Sequence, residues 1–289
     1  MTAESVKFEA PFVRDDCATL RGVLMAKPGA AIAAAAPMLG EPSAIAERAA
    51  EQFAILTGRL GAASVKISTI DADAPASIGS SCADGAIVFE DGAFLMRPSD
   101  VARRADVGAL QTALERLGIP IVGRIEAPGL LDGGDVLLAG DTVYVGVPTP
   151  RREEIGIPAQ RHGNALGREQ LAAFARSRSF AVVEVAMAGE VSRLRAVAAL
   201  IDSKTLLLGA GVLDATAFGA LKTIVVPRGE EYGAGVLALG NRRVLANLRF
   251  RETIPLLRKA GVSVDAIDLW EFGKIGITPS LLALAVKRG

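Results

Sequence analysis

The residues best able to do chemistry are Asp132 and Asp135, two carboxylates separated by Gly133-Gly134. Glycines let a backbone bend and approach something closely. Two acids so near each other suit a cation, or else a solvated Asx-type turn. Asp84, the arginine pair Arg103-Arg104, the lone histidine His162 and the cysteines Cys17 and Cys82 complete the reactive groups. One histidine and no cysteine cluster give no metal site, and no glycine-rich phosphate loop opens a helix, so no cofactor is expected. An arginine pair is usually a solvated helix start, and a small cysteine in a strand is usually buried and inert.

A rigid element must hold the Asp132 cluster. Residues 136–139 and 142–145 are strand-like runs with Gly140-Asp141 between them, which reads as a β-hairpin. The form recurs at 85–96 with Asp91-Gly92 at its turn, at 196–209 with Asp202-Ser203, and at 235–246 with Gly240-Asn241. Helix-period residues Leu110, Ala113, Leu114 and Leu117 precede Gly118 and a strand over 119–125. Ile254 and Leu257 precede Gly261 and a strand over 262–269. Glycine ends such helices because it accepts the left-handed conformation cheaply. The first unit is a strand over 21–25, a helix over 43–60 and a strand over 62–70. The spacing predicts about five hairpin-helix-strand units sharing one core. They close into a ring, or they lie in an ordinary α+β sheet whose hairpins look alike.

The chain has 289 residues, 51% hydrophobic, enough for a large core, and residues 1–289 read as one domain. Net charge is zero and aromatics are 4%, which speaks against nucleic acid as a partner. The most apolar tract, 30–39, is broken by Pro37 and is too short to span a bilayer. No basic-then-apolar leader opens the sequence. A cytoplasmic protein with no membrane partner is expected, with a homodimer left open. Residues 148–163, rich in proline and charge, read as a long loop before a helix starting near Asn164.

The cluster and its hairpin resemble the central motif of dimethylarginine dimethylaminohydrolases, in the sequences Leu131-Asp132-Gly133-Gly134-Asp135-Val136-Leu137 and Val143-Tyr144-Val145-Gly146. Further likeness lies in Arg97-Pro98 with Arg103-Arg104-Ala105-Asp106 and in Asn164-Ala165-Leu166-Gly167 with Gln170-Leu171. It extends to residues 227–232 and to Glu271-Phe272 with Lys274. The resemblance implies the pentein fold, a five-bladed α/β propeller, and places the chain in the guanidino-group-modifying superfamily with arginine deiminases and amidinotransferases. It implies that Asp132 and Asp84 contact a substrate guanidinium and that Arg104 meets its carboxylate end. His162, or Arg161 beside it, falls near the arginine that holds that carboxylate.

The resemblance also implies hydrolysis through a cysteine thiolate that attacks the guanidinium carbon, with a histidine as acid and base. Here the sequence departs. Pro279, in Gly276-Ile277-Thr278-Pro279-Ser280, stands where the cysteine belongs. The histidine position falls on Ser192, or on Arg193 with a different gap. Losing both groups removes the mechanism. The expectation is a catalytically degenerate protein binding a small guanidino or amino-acid-like ligand. The alternatives are a hydrolase using Asp132 and Asp84, or Cys82, by another route, and a scaffolding protein.

Overall fold

The computed structural model describes residues 6–38, 40–70, 81–149 and 163–289. Its strands form five three-stranded sheets. The first combines β1 (Leu20–Ala26) and β2 (Lys66–Ile70), joined through α1 (Ala46–Ala62). The second holds β3 (Ala86–Phe89), β4 (Gly92–Leu95) and, after α2 (Val101–Arg116), β5 (Ile121–Arg124). The third holds β6 (Val136–Ala139), β7 (Thr142–Pro148) and, after α3 (Ala165–Arg176), β8 (Ala181–Met187). The fourth follows a single helical turn, α4 (Leu194–Val197), with β9 (Ala198–Asp202), β10 (Thr205–Leu208) and β11 (Lys222–Val225). The fifth holds β12 (Leu237–Gly240), β13 (Arg243–Asn247) and, after α5 (Thr253–Lys259), β14 (Ser263–Ile267). Two more turns, α6 (Trp270–Gly273) and α7 (Pro279–Leu282), lead to β15 (Ala283–Arg288).

β15 pairs antiparallel with β1 and so completes the first sheet with the other end of the chain. Every sheet then has the same pattern, an antiparallel pair followed by a parallel third strand. This is the ring of five blades, and an ordinary α+β sheet is not found. The first strand of each blade is buried almost throughout, as in Ala86–Phe89 and Leu237–Gly240, whereas β2, β5 and β11 are largely in contact with solvent. The run of apolar residues in each inner strand is what a strand covered on both faces requires. One continuous core takes in Leu24, Phe89, Val145, Leu206, Leu245 and Leu284.

The hairpin turns differ from the sequence reading by one residue in three blades. Glu90-Asp91, Ser203-Lys204 and Asn241-Arg242 lie between the last paired residues; only Gly140-Asp141 sits where expected. Asn241 and Arg242 both have positive φ, 51° and 56°, as a twist-matched two-residue turn demands. The neighbouring glycines, Gly92 and Gly240, have positive φ and are also tightly packed. A Cβ on Gly92 would run into the Pro120 carbonyl, and one on Gly240 into Thr19.

Each inner strand is entered through one short helical turn: Cys82–Asp84, Gly133–Asp135, Leu194–Val197, Glu231–Ala234 and Pro279–Leu282. Asp132, Arg193 and Thr278 are each the residue just before such a turn. The repeat therefore brings equivalent positions of different blades toward one axis. On the same axis the N-terminal segment laces the blades together: Phe12 N–H donates to the Glu90 carbonyl, Asp16 N–H to that of Leu138, and Arg288 N–H to that of Phe12. Among the described residues no helix is long and apolar enough to cross a membrane.

Gly133 is a close-approach position, since a Cβ there would collide with the carbonyl oxygen of Ala83. Gly133→Ala is expected to force the second and third blades apart and to cost about 1–3 kcal/mol, measured as a lowered urea midpoint with an unchanged m-value.

Candidate functional site: a guanidinium between two carboxylates

The entry turns of the second and third blades pack side by side. This contact places the Gly134 N–H 3.1 Å from Asp84 Oδ1, to which it donates. Asp84 Oδ2 accepts from Ser81 Oγ at 2.9 Å and from Arg103 Nη1 of α2. Asp132 Oδ2 accepts from the Ser99 N–H at 3.1 Å and from the Ser99 hydroxyl at 2.8 Å. The remaining carboxylate oxygens face Arg193, delivered from the fourth blade just before α4. Its Nε donates to Asp84 Oδ1 at 3.1 Å, and its Nη2 donates to Asp132 Oδ1 at 2.7 Å. Nη1 turns back to the Ser192 carbonyl at 2.6 Å. Asp135 Oδ1 accepts the Leu194 N–H at 3.1 Å, which fixes the start of α4.

All four charged groups at the centre are buried, Asp132 and Asp135 at 0%, Asp84 at 1% and Arg193 at 6% relative exposure. Burial works against the Arg193 cation, but the fields of Asp84, Asp132 and Asp135 override it and leave the guanidinium held above its ordinary pKa. Burial likewise penalises the Asp84 carboxylate, yet Arg193 and Arg103 bring its pKa below the ordinary value. Asp132 goes the other way. Burial pushes it up to about 6; Arg193 offsets part of this, and the like charges of Asp84 and Asp135 add to it. The forked donors of a guanidinium suit such flanking carboxylates in geometry as well as charge.

Asp132 and Asp84, singled out from the sequence, are thus brought together. Arg104 stands apart from them: its Nε and Nη2 donate to the Pro98 and Ser99 carbonyls at 2.7 and 3.1 Å, so it braces the loop that presents Ser99 to Asp132. The neighbouring Arg103 is the one that reaches Asp84. His162 and Arg161 lie outside the described residues, as does most of the loop read at 148–163. Of the two candidates for the histidine position, Arg193 enters the cluster. Ser192 donates its N–H to Tyr232 Oη at 3.0 Å and its hydroxyl to the Gly276 carbonyl at 3.2 Å. Pro279 is the first residue of α7 and is buried. Ser280 next to it donates to the Arg195 carbonyl at 2.6 Å. Cys82 is buried, and its thiol is pushed up to about 12, chiefly by burial; a hydrogen bond with the Leu284 backbone offsets little of it. Such burial favours the protonated, less nucleophilic thiol. Among the described residues no group of three or more potential ligands could hold a metal.

The sequence reading missed the part played by Arg193. Two carboxylates converging on one spot call for a cation, and this one comes from the chain itself.

No family model matches the chain. The N(G),N(G)-dimethylarginine dimethylaminohydrolase of Streptomyces coelicolor is 34% identical over 194 residues, covering 66% of this chain and 68% of that protein. The chain belongs to the dimethylarginine dimethylaminohydrolase family. The Pseudomonas aeruginosa dimethylarginine dimethylaminohydrolase is 25% identical over 192 residues, covering 66% of this chain and 70% of its own. A cysteine-to-serine variant of that protein, complexed with citrulline, superimposes with a TM-score of 0.80 at 22% identity, over 92% of this chain and 99% of the other. The five-bladed α/β propeller is therefore the dimethylarginine dimethylaminohydrolase fold, and the two aspartates lie where its entry turns converge.

The raised Asp132 pKa has a sign that can be tested. Between about pH 4 and pH 6 the folded protein holds a proton that the unfolded chain has released, so this group makes stability fall as pH rises through that window. Asp132→Asn removes the titration. The wild type is expected to gain stability relative to Asp132→Asn, by up to about 3 kcal/mol, as pH is lowered from neutrality to about 4. Paired urea titrations across that range give the difference directly, and a flat difference contradicts the assignment.

Proposed function

We propose that this protein is a member of the dimethylarginine dimethylaminohydrolase family without its thiol chemistry, and that its guanidinium site is filled by Arg193. The observation that carries the reading is the guanidinium of Arg193 held between Asp84 and Asp132. The group expected there from the resemblance is that of a substrate. Pro279 offers no nucleophile at the position where the resemblance implies a cysteine, and Arg193 has no free base to give, being a cation at any ordinary pH.

The same chemistry defines a ligand for this site. It is a small guanidino or amino-acid-like molecule whose guanidinium takes the place of Arg193. Such a molecule binds only as well as it competes with a side chain already tethered in place. Hydrolysis by water activated at Asp132 is the second reading. Its support is the raised Asp132 pKa, which suits a base. Against it, the two Asp132 oxygens are already engaged by Arg193 and Ser99.

Two measurements test the proposal. Incubation with arginine, its methylated forms and agmatine, read by mass spectrometry, is expected to give no citrulline and no released amine; turnover by the wild type overturns the reading. Arg193→Ala leaves buried carboxylates without their partner and is expected to cost about 3–5 kcal/mol. Millimolar methylguanidine is expected to restore part of that loss in Arg193→Ala and to leave the wild type unchanged. Equal stabilisation of both proteins sinks the idea of an occupied site.

A further inference from the structure

The carboxylates around Arg193 offer their oxygens to a guanidinium one at a time. Asp84 Oδ2 is engaged by Ser81 Oγ and Arg103 Nη1, and Asp132 Oδ2 by the Ser99 N–H and hydroxyl. Each aspartate therefore presents Oδ1, and neither grips the guanidinium with both oxygens. A third acceptor stands beside them, the Ser192 carbonyl. It is held in place from two sides: Ser192 donates its N–H to Tyr232 Oη at 3.0 Å and its hydroxyl to the Gly276 carbonyl at 3.2 Å. Three oxygens thus meet three nitrogens. Asp84 Oδ1 accepts from Nε at 3.1 Å, Asp132 Oδ1 from Nη2 at 2.7 Å and the Ser192 carbonyl from Nη1 at 2.6 Å.

The carbon chain on Nε has a wall of its own. The stem of Arg193 passes Gly134, where Cγ comes within 2.9 Å of the place a Cβ would take, and Leu281 Cδ2 lies 2.7 Å from the same place. One apolar substituent on one nitrogen is therefore accommodated, along a path that the missing Gly134 side chain leaves open. A nitrogen carrying two methyl groups has no N–H. Wherever it sits among the three positions, one oxygen loses its bond. The guanidinium there belongs to a residue only 6% exposed, so bulk water does not make up the loss. A hydrogen bond between a charged group and a buried partner is worth about tenfold to a hundredfold in affinity.

We infer that this site is specific for guanidines that carry a single substituent and keep an N–H on every nitrogen, with the Ser192 carbonyl as the acceptor that completes the selection. The inference rests on the reading of the site given above and adds the class of guanidine it takes. A monoalkylguanidinium that displaces Arg193 satisfies all three oxygens. One methylated twice on a single nitrogen does not.

The test compares two isomers of the same size and charge on the whole protein carrying Arg193→Ala. Ethylguanidine keeps an N–H on each nitrogen, and its two carbons can follow the vacated path of the arginine stem. N,N-dimethylguanidine lacks an N–H on one nitrogen. The rise in melting temperature with ligand concentration is expected to reach half its limit at an ethylguanidine concentration at least about tenfold lower. Equal half-saturation, or the reverse order, overturns the inference and leaves the reading of an Arg193-filled site standing. No stabilisation by either isomer or by methylguanidine overturns both. If Arg193→Ala does not hold its fold unaided, the recovery of folded protein on refolding with each isomer, read by circular dichroism, gives the same comparison. Greater recovery with ethylguanidine is then the expected result, and equal recovery overturns the inference.

Discussion

The interaction on which the rest depends is the guanidinium of Arg193 between Asp84 and Asp132. Removing one ion from water into a protein interior costs several kcal/mol, so a buried charge persists only where others compensate it. Here the compensation is mutual. Asp84 sits at the entry to the second blade, Asp132 at the entry to the third and Arg193 at the entry to the fourth. Three blades are thus tied at one point by charge, where hydrophobic contact alone would fix no particular register. The backbone must come close enough for this to work. A Cβ on Gly134 would stand 2.5 Å from Asp84 Oδ1 and 2.9 Å from Arg193 Cγ. The glycine pair that looked like a flexible turn in the sequence is a requirement of that approach.

α4 is the element that joins two charged clusters, one around Arg193 and one around Arg195. Residues two apart on a helical turn point in different directions. Arg193 goes to the aspartates of the second and third blades, and Arg195 goes to Asp16 on the axis. One short segment therefore serves two networks, and its position is over-determined. The Leu194 N–H bond to Asp135 and the Ser280 hydroxyl on the Arg195 carbonyl hold the same segment from either side. Arg193 itself is a fixed charge that keeps its proton at any ordinary pH.

Much of this was legible in the chain. Alternating hairpin and helix signals gave the number and kind of the repeats, because apolar inner strands and glycine-stopped helices are local features. The Asp-Gly-Gly-Asp cluster marked the third blade's contribution for the same reason. Hairpin turns in three blades came out one residue away; in two of them the glycine read as a turn residue, Gly92 or Gly240, is the strand residue beside the turn, with positive φ and with Pro120 or Thr19, distant in sequence, packed against it. The partner of the aspartates was not legible, because Arg193 lies 61 residues from Asp132 and 109 from Asp84. Nor was the division of labour between Arg103 and Arg104. Neighbours on a helix face different ways, and only the packed structure decides which one looks inward.

β15 pairs with β1 in a register that sets Leu20 opposite Arg288. The first blade is therefore built from the earliest and the latest strands, and its inner position is empty until the whole intervening chain has been made. A ribosome releasing this protein from its N-terminus exposes β1 without its antiparallel neighbour while the other four blades are being synthesised. Those four can each close from nearby sequence; the first cannot. Ring closure is thus the step with the longest loop to bring together, and β1, carrying Val23, Leu24 and Met25 that end fully buried, is the edge that needs protection during synthesis.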